Sequence, residues 1–165
     1  MNHLKKFETF HYLNLHRPNL LRIKIDELKD FCETYLAYLM DDAIKELKVG
    51  KPQLLQTDKY VCYNVEIYFN KSQQWDKIKD HFLPFLQMIQ KEYSFREDNI
   101  GRMCSIAWRV EDNLVTIPKQ YTLKELLEDK IETNFTFKLG SDHMASIQGN
   151  VGSIKLEILE EVSKD

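Results

Sequence analysis

The chain has no apolar run long enough to cross a membrane, few glycines and prolines, and only three cysteines. Its 165 residues include five glycines and four prolines, so long disordered segments are not expected. The N-terminal stretch lacks the continuous apolar core of a signal peptide. The cysteines are widely separated and odd in number, which favours buried free thiols over disulfides. We therefore expect a cytoplasmic protein without a membrane partner.

The sequence also lacks the short motifs that indicate a cofactor or a metal. Its glycines form neither GxGxxG nor GxxxxGK[ST], the two loops that cradle phosphates. It contains no CxxC, no HExxH and no EF-hand spacing, which are the usual arrangements of zinc and calcium ligands. We therefore expect no cofactor and no metal site.

What is present is typical of a soluble globular protein. Hydrophobic residues make up 43% and charged residues 30% of the chain, with a net charge of −3, which suits one domain with a real core. Basic residues concentrate in residues 1–24, where Glu8 is the only acid. They are Lys5, Lys6, Arg17, Arg22 and Lys24. This segment is a weak candidate for contacts with a phosphate backbone, but no nucleic-acid-binding signature accompanies it, so nucleic acid is not the expected partner.

The strongest local pattern runs from Ile25 to Leu47 and predicts one long amphipathic helix. Asp26 suits the N-cap, and Gly50 and Pro52 are suitable end signals. Apolar residues recur at spacings of three and four, which makes one buried stripe. They are Leu28, Phe31, Cys32, Tyr35, Leu36, Leu39, Ala43 and Leu47.

One edge of this predicted helix combines tyrosine with carboxylates. Tyr38, Asp42 and Glu46 fall on that edge, and Asp41 points outward beside it. Tyrosine offers rigid contact area and a hydroxyl group, a combination common in protein-recognition surfaces. The structural alternative is a tyrosine at the rim of the core with solvated acids around it. We predict these four residues as the partner-binding surface.

Strand and helix patterns alternate along the rest of the chain. Strands are predicted over Tyr60–Phe69, Arg102–Val110, Leu114–Ile117, Thr133–Leu139, Met144–Gln148 and Val151–Leu159, with a hairpin turn at Gly149-Asn150. A second long helix is predicted over Gln73–Tyr93, with a kink or break at Pro84. Thr122 and Glu125 form a capping box for a short helix. Residues 1–24 predict a β-hairpin, with a short helix over Leu4–Leu15 as the alternative, and residues 160–165 a solvated tail.

These elements predict an α+β fold: a single compact domain with a mostly antiparallel sheet, two long amphipathic helices on one face and one short helix. The leading functional hypothesis is a non-enzymatic protein-binding module of inhibitor, immunity, antitoxin or adaptor type; a homo-oligomer is compatible with it. The alternative is a small-molecule-binding protein or hydrolase-like enzyme with a pocket between sheet and helices. Its weak catalytic candidates are Asp142 and His143, since a carboxylate can orient a histidine base.

Overall fold

The computed structural model describes residues 23–54, 60–93, 104–110, 115–140 and 143–161. Within these ranges the helices are α1 (Ile25–Tyr35), α2 (Ala37–Asp42), α3 (Trp75–Tyr93) and α4 (Leu123–Leu127). The strands are β1 (Ile44–Val49), β2 (Gln53–Leu54), β3 (Tyr60–Gln74), β4 (Cys104–Val110), β5 (Thr116–Tyr121), β6 (Asn134–Leu139) and β7 (His143–Glu161).

The strands of the described part form one antiparallel sheet. Its main path is β1-β3-β7-β4-β5, while β2 pairs with β3 and β6 with β7. The helices pack on one face of this sheet and contribute Leu28, Trp75 and Phe82 to the same buried cluster as the inward side chains of the strands. The predicted α+β class, with an antiparallel sheet and helices on one face, is therefore confirmed.

The alternation of side chains along β3 divides the sheet into two faces. Val61, Val65 and Ile67 are buried beneath the helices, whereas Glu66 and Tyr68 lie on the opposite face. Successive side chains of a strand point to opposite sides of the sheet. Burial of a large inward side chain contributes roughly 1.5–3 kcal/mol of hydrophobic stabilisation. We call the face without described helices the open face.

The prediction of one helix from Ile25 to Leu47 is wrong beyond Asp42. The helix is interrupted at Leu36, whose φ and ψ are −103° and 13°, and β1 begins at Ile44. Ile44 and Leu47 are both buried although they are three residues apart, a spacing that suggests a helix. A β-bulge between Ile44 and Glu46 shifts the strand register and brings both side chains to the core face.

Two prolines do not interrupt the elements that contain them. Helix α3 is continuous through Pro84, so the expected break is absent. Pro118 lies within β5, where the sequence predicted the strand to stop. β5 ends the main path of the sheet, and an edge strand tolerates a residue without an N–H group because that side needs no ladder hydrogen bond.

The predicted hairpin turn at Gly149-Asn150 is also wrong, because β7 runs without a break from His143 to Glu161. Gly149 has a φ of +74° within the strand. Ala107 of β4 pairs with Ser153 and Trp108 pairs with Val151, so Gly152 is an extra residue of β7 without a partner in β4. The two glycines therefore bend a continuous strand, as glycines at bulges commonly do.

Glu160 is buried, although the sequence placed it in a solvated tail. Its Oε1 atom accepts a hydrogen bond of 3.0 Å from the backbone N–H of Ile23. The hydroxyl of Tyr63 lies 3.1 Å from Glu160 Oε2 and 3.0 Å from the carbonyl oxygen of Ile23. These contacts attach the start of α1 to the end of β7. The N-cap residue of α1, Lys24, makes no side-chain capping hydrogen bond.

Several predictions can be compared directly with the structure. The three cysteines are free and buried, as predicted. The capping box is present, with Glu125 N–H donating to Thr122 Oγ1 at 3.1 Å. The N-terminal hairpin predicted within residues 1–24 lies outside the described residues except for Ile23 and Lys24.

Candidate functional site

The most exposed large hydrophobic side chain of the described residues is Tyr38, at 82% of its full accessibility. It lies in α2, a helix of six residues that is attached to the core through Leu39. The interruption at Leu36 separates α2 from α1. One side of α2 is therefore buried, and Tyr38, Asp41 and Asp42 remain on its exposed side.

Tyr38 is held by a neighbour from a different element. Its ring stacks on the imidazole of His81 in α3, with ring centroids 6.0 Å apart and an interplanar angle of 24°. His81 is exposed as well. Both rings belong to helices whose opposite sides are anchored in the core, by Leu39 and by Phe82. We call Tyr38, Asp41, Asp42 and His81 the Tyr38 surface.

A second aromatic group lies at the end of α1. The rings of Phe31 and Tyr35 are 4.6 Å apart, and Phe31 is 6.4 Å from the buried ring of Phe85. Tyr35 retains 42% of its accessibility. Aromatic residues thus extend from the core to the outer surface of the helix layer, which is a common arrangement at protein interfaces.

The helices α1 and α2 are strongly acidic. Residues 25–42 contain a single basic residue, Lys29. Their acids are Asp26, Glu27, Asp30, Glu33, Asp41 and Asp42. The ion pairs of the described part involve other residues, so no ion pair there neutralises these carboxylates. Such a group of acids favours a negative potential at this surface.

Glu46, the fourth predicted partner-binding residue, does not belong to this surface. It lies on β1 and points to the open face, opposite Tyr68 in the strand register. Its carboxylate is 3.8 Å from the ammonium group of Lys48. The structure therefore brings three of the four predicted residues together and places Glu46 on the other side of the sheet, because residues 44–49 are a strand.

The weak catalytic candidates have no nucleophile beside them in the described part. His143 is exposed at the start of β7 and pairs with Leu139, while Asp142 lies outside the described residues. Cys104 pairs with Leu156 of β7, which is thirteen residues beyond His143 in the chain. An acid–base site at His143 therefore stays a prediction, with no nucleophile beside it among the described residues.

The thiols are poor nucleophiles in the folded chain. Burial raises the pKa of Cys32 to about 12 and that of Cys62 to about 11. Burial also raises the pKa of Cys104, which is completely enclosed. Since the thiolate is the reactive form, these residues suit a structural role in the core.

The other predicted binding features are only partly within the described residues. Lys24 is exposed at the start of α1, and Lys5, Lys6, Arg17 and Arg22 lie outside the described ranges. No cluster of three or more metal-ligating side chains occurs in the part of the chain that is described. None of the helices in those ranges combines the length and apolar character needed to span a bilayer.

Sequence reasoning missed two features of the surface. His81 was not among the predicted partner-binding residues, because its stacking on Tyr38 joins residues far apart in the chain. The second feature is a group of small residues on the open face, among them Ser105, Ala107 and Ser153. The alternation of Ser105 and Ala107 with Ile106 and Trp108 along β4 is the signal that would have identified it. No protein-family model, curated protein or solved structure matches this chain.

Proposed function

We propose that this protein is a non-enzymatic protein-binding module of inhibitor, immunity, antitoxin or adaptor type, which acts in the cytosol and holds its partner on the Tyr38 surface. The observation that carries the proposal is the Tyr38 ring, 82% exposed yet stacked on His81. A single exposed apolar residue needs no explanation. A large ring that is exposed, held in place and surrounded by charge is typical of an interface anchor.

Pre-organisation supports this assignment of Tyr38. A side chain that is mobile before binding loses about 0.5–1.5 kcal/mol of conformational entropy when an interface immobilises it. Tyr38 already has the His81 ring stacked beside it, at a centroid distance of 6.0 Å, which reduces the space open to its own ring. Its burial by a partner would therefore yield more net binding energy than burial of an unrestrained tyrosine.

Charge points to the chemistry of the partner. The acids of α1 and α2 are Asp26, Glu27, Asp30, Glu33, Asp41 and Asp42, against Lys29 alone. A surface of this sign favours a protein that presents lysine and arginine, through complementary potential and steering of the encounter. Arginine and lysine also stack favourably on the face of an exposed tyrosine ring. We therefore commit to a basic protein surface as the partner.

The experiment is affinity capture from a lysate of the native host with four immobilised proteins. They are the wild type, Tyr38→Ala, Asp41→Lys, and Glu132→Lys. Glu132 is an exposed acid outside the helix layer and serves as the matched control. The proposal expects one basic protein to bind wild type and Glu132→Lys and to be lost from both Tyr38 surface variants.

Two results would overturn the proposal. One is the absence of any protein that distinguishes wild type from the Tyr38 surface variants. The other is a captured protein that is retained equally by all four. Circular dichroism of each variant confirms that loss of capture does not reflect loss of the fold.

A further inference from the structure

The open face of the sheet carries a shallow cavity where a solvated sheet would carry long polar side chains. The cavity has a volume of about 170 Å³. Its lining residues include Glu66, Tyr68, Ser105, Ala107, Ser153 and Lys155. The small side chains grouped in the sheet centre leave room for another surface to approach closely.

One row of residues across the strands has large side chains at both ends and small ones between them. The register pairs Tyr68 of β3 with Ser153 of β7, Ser153 with Ala107 of β4, and Ala107 with Pro118 of β5. Neighbouring strands are about 4.8 Å apart, so Tyr68 and Pro118 lie about 14 Å apart on either side of a trough. Tyr68, 36% exposed, borders it.

The next row alternates in charge. Lys48 pairs with Glu66, Glu66 with Lys155, and Lys155 with Ser105. Glu66 is 3.8 Å from the ammonium group of Lys155 and accepts a 3.0 Å hydrogen bond from the Tyr68 hydroxyl. The open face thus carries positive and negative charges side by side, whereas helices α1 and α2 are acidic. A surface of this kind complements a copy of itself.

We propose that the open face binds the open face of a second copy of this chain. In this dimer the two sheets stack face to face. The twofold axis lies between the two sheets, parallel to the strands and midway between β3 and β7. It therefore brings β3 of each copy over β7 of the other. It places Tyr68 over the small side chain of Ser153 of the second copy, and Glu66 over Lys155 of the second copy. The Tyr68 ring then meets a small side chain, and Glu66 and Lys155 each meet the opposite charge.

The size of the face limits the strength of this dimer. Four overlapping strands, each about six residues long, give a footprint of about 19 Å by 20 Å, or about 400 Å² per copy. Stable dimers bury about 800 Å² per partner, so we expect a reversible dimer with a dissociation constant on the order of micromolar. Aligned packing of two twisted sheets in this way is a common arrangement.

The test is sedimentation equilibrium of the full chain, from about 1 to 200 µM, which brackets a micromolar constant. The axis places Ser105 over Lys48 of the second copy. Ser105→Lys therefore sets lysine against lysine and is expected to weaken the dimer at least 10-fold. The matched control Ser105→Glu sets a carboxylate against that lysine and is expected to leave the dimer intact or strengthen it. Tyr38→Ala, on the other side of the molecule, is expected to have no effect.

Ser153→Tyr supplies a second variant, because it fills the trough while leaving a good strand former on an exposed strand position. It is expected to give a monomer with an unchanged circular dichroism spectrum. A wild-type chain that stays monomeric at about 200 µM would overturn the proposal. So would a dimer that responds equally to Ser105→Lys and Ser105→Glu, or one that persists in Ser153→Tyr. None of these results bears on the capture of a basic protein by the Tyr38 surface.

Discussion

At the scale of single residues, the clearest polar feature is the buried contact of Tyr63 with Glu160 and Ile23. Tyr63 is fully buried, and its hydroxyl lies within 3.1 Å of a carboxylate oxygen and 3.0 Å of a backbone carbonyl oxygen. Burial, followed by the charge of Glu160, raises the pKa of Tyr63 above its ordinary value of 10.0. A group whose pKa is raised on folding stabilises the fold fully below its unfolded pKa.

Tyr63→Phe should therefore alter the pH dependence of stability. The contribution of the Tyr63 hydroxyl is present below pH 10 and is lost as the pH rises above this value, by about 1.4 kcal/mol per pH unit. At neutral pH the variant should lose about 1 kcal/mol. Above pH 10 this difference from wild type should shrink and then change sign. Urea unfolding of variant and wild type at a series of pH values from 7 upward measures the loss at neutral pH and its change at high pH. Tyr35→Phe, which alters an exposed tyrosine, is the control. A constant difference between Tyr63→Phe and wild type at all pH values would contradict the assignment.

The thiols provide a second prediction at this scale. Burial raises the pKa of Cys62 to about 11 and that of Cys32 to about 12, against 9.0 for an ordinary thiol. At pH 8 the thiolate fraction of Cys62 is therefore about 100-fold below that of a free cysteine. We expect native thiols to react with a disulfide reagent at least 100-fold more slowly than free cysteine, with Cys62 fastest. Mass spectrometry of labelled peptides gives the order, and a rapidly labelled Cys32 or Cys104 would contradict it.

At the scale of elements, the capping box of α4 is a local feature with a definite energetic role. Thr122 accepts from Glu125 N–H, and the Glu125 carboxylate accepts from Thr122 N–H at 3.3 Å. The buried residues of this short helix are Leu123 and Leu126. A helix of five residues has little intrinsic stability, so its caps and core contacts decide whether it forms.

Thr122→Ala should destabilise the protein by about 1 kcal/mol, because the backbone N–H of Glu125 loses its acceptor. The control is Thr34→Ala, which removes a threonine whose hydroxyl only donates back to Asp30 O within α1. Since alanine is the better helix former, the control should be neutral or slightly stabilising. Chemical denaturation of both variants makes the comparison, and equal effects would argue against a capping role.

Elements whose apolar residues follow one clear period, helical or strand-like, were predictable from the sequence. Strand β3 begins and helix α3 ends at the predicted residue, because burial alternates from Tyr63 to Phe69 and Trp75 to Ile89 repeat at helical spacing. The strand continues to Gln74, five residues beyond its predicted end at Phe69. The strand β1 was missed because its bulge gives Ile44 and Leu47 a helical spacing. Pro118 and Gly149 were misjudged because their tolerance depends on strand position in the sheet, which is a property of the topology.

The candidate site was predictable only in part for a similar reason. Tyr38, Asp41 and Asp42 share one exposed side of α2, and helical spacing was enough to group them. Glu46 was added to the group by a helix that does not continue that far. The stacking of His81 on Tyr38 spans forty-three residues of sequence and depends on how α2 and α3 pack, which no local pattern records.

At the scale of the whole molecule, the two outer faces differ in charge and in chemistry. The helix layer presents Tyr38 among carboxylates that have no ion-pair partners in the described part. The open face presents Glu66 and Lys155 already paired at 3.8 Å, beside a trough of small residues. The first arrangement favours a basic partner, and the second favours a copy of the same face. Both surfaces can be occupied at once because they lie on opposite sides of the sheet.

Calorimetric titration of the basic partner into wild type, Tyr38→Ala and Glu132→Lys measures the central claim most directly. We expect Tyr38→Ala to weaken binding by about 2 kcal/mol, or roughly 30-fold in Kd, as an interface anchor does. Glu132→Lys should leave the affinity unchanged, and wild-type binding should weaken as salt screens the acids of α1 and α2. An affinity that is the same for Tyr38→Ala and wild type would show that the partner binds elsewhere and would contradict the account.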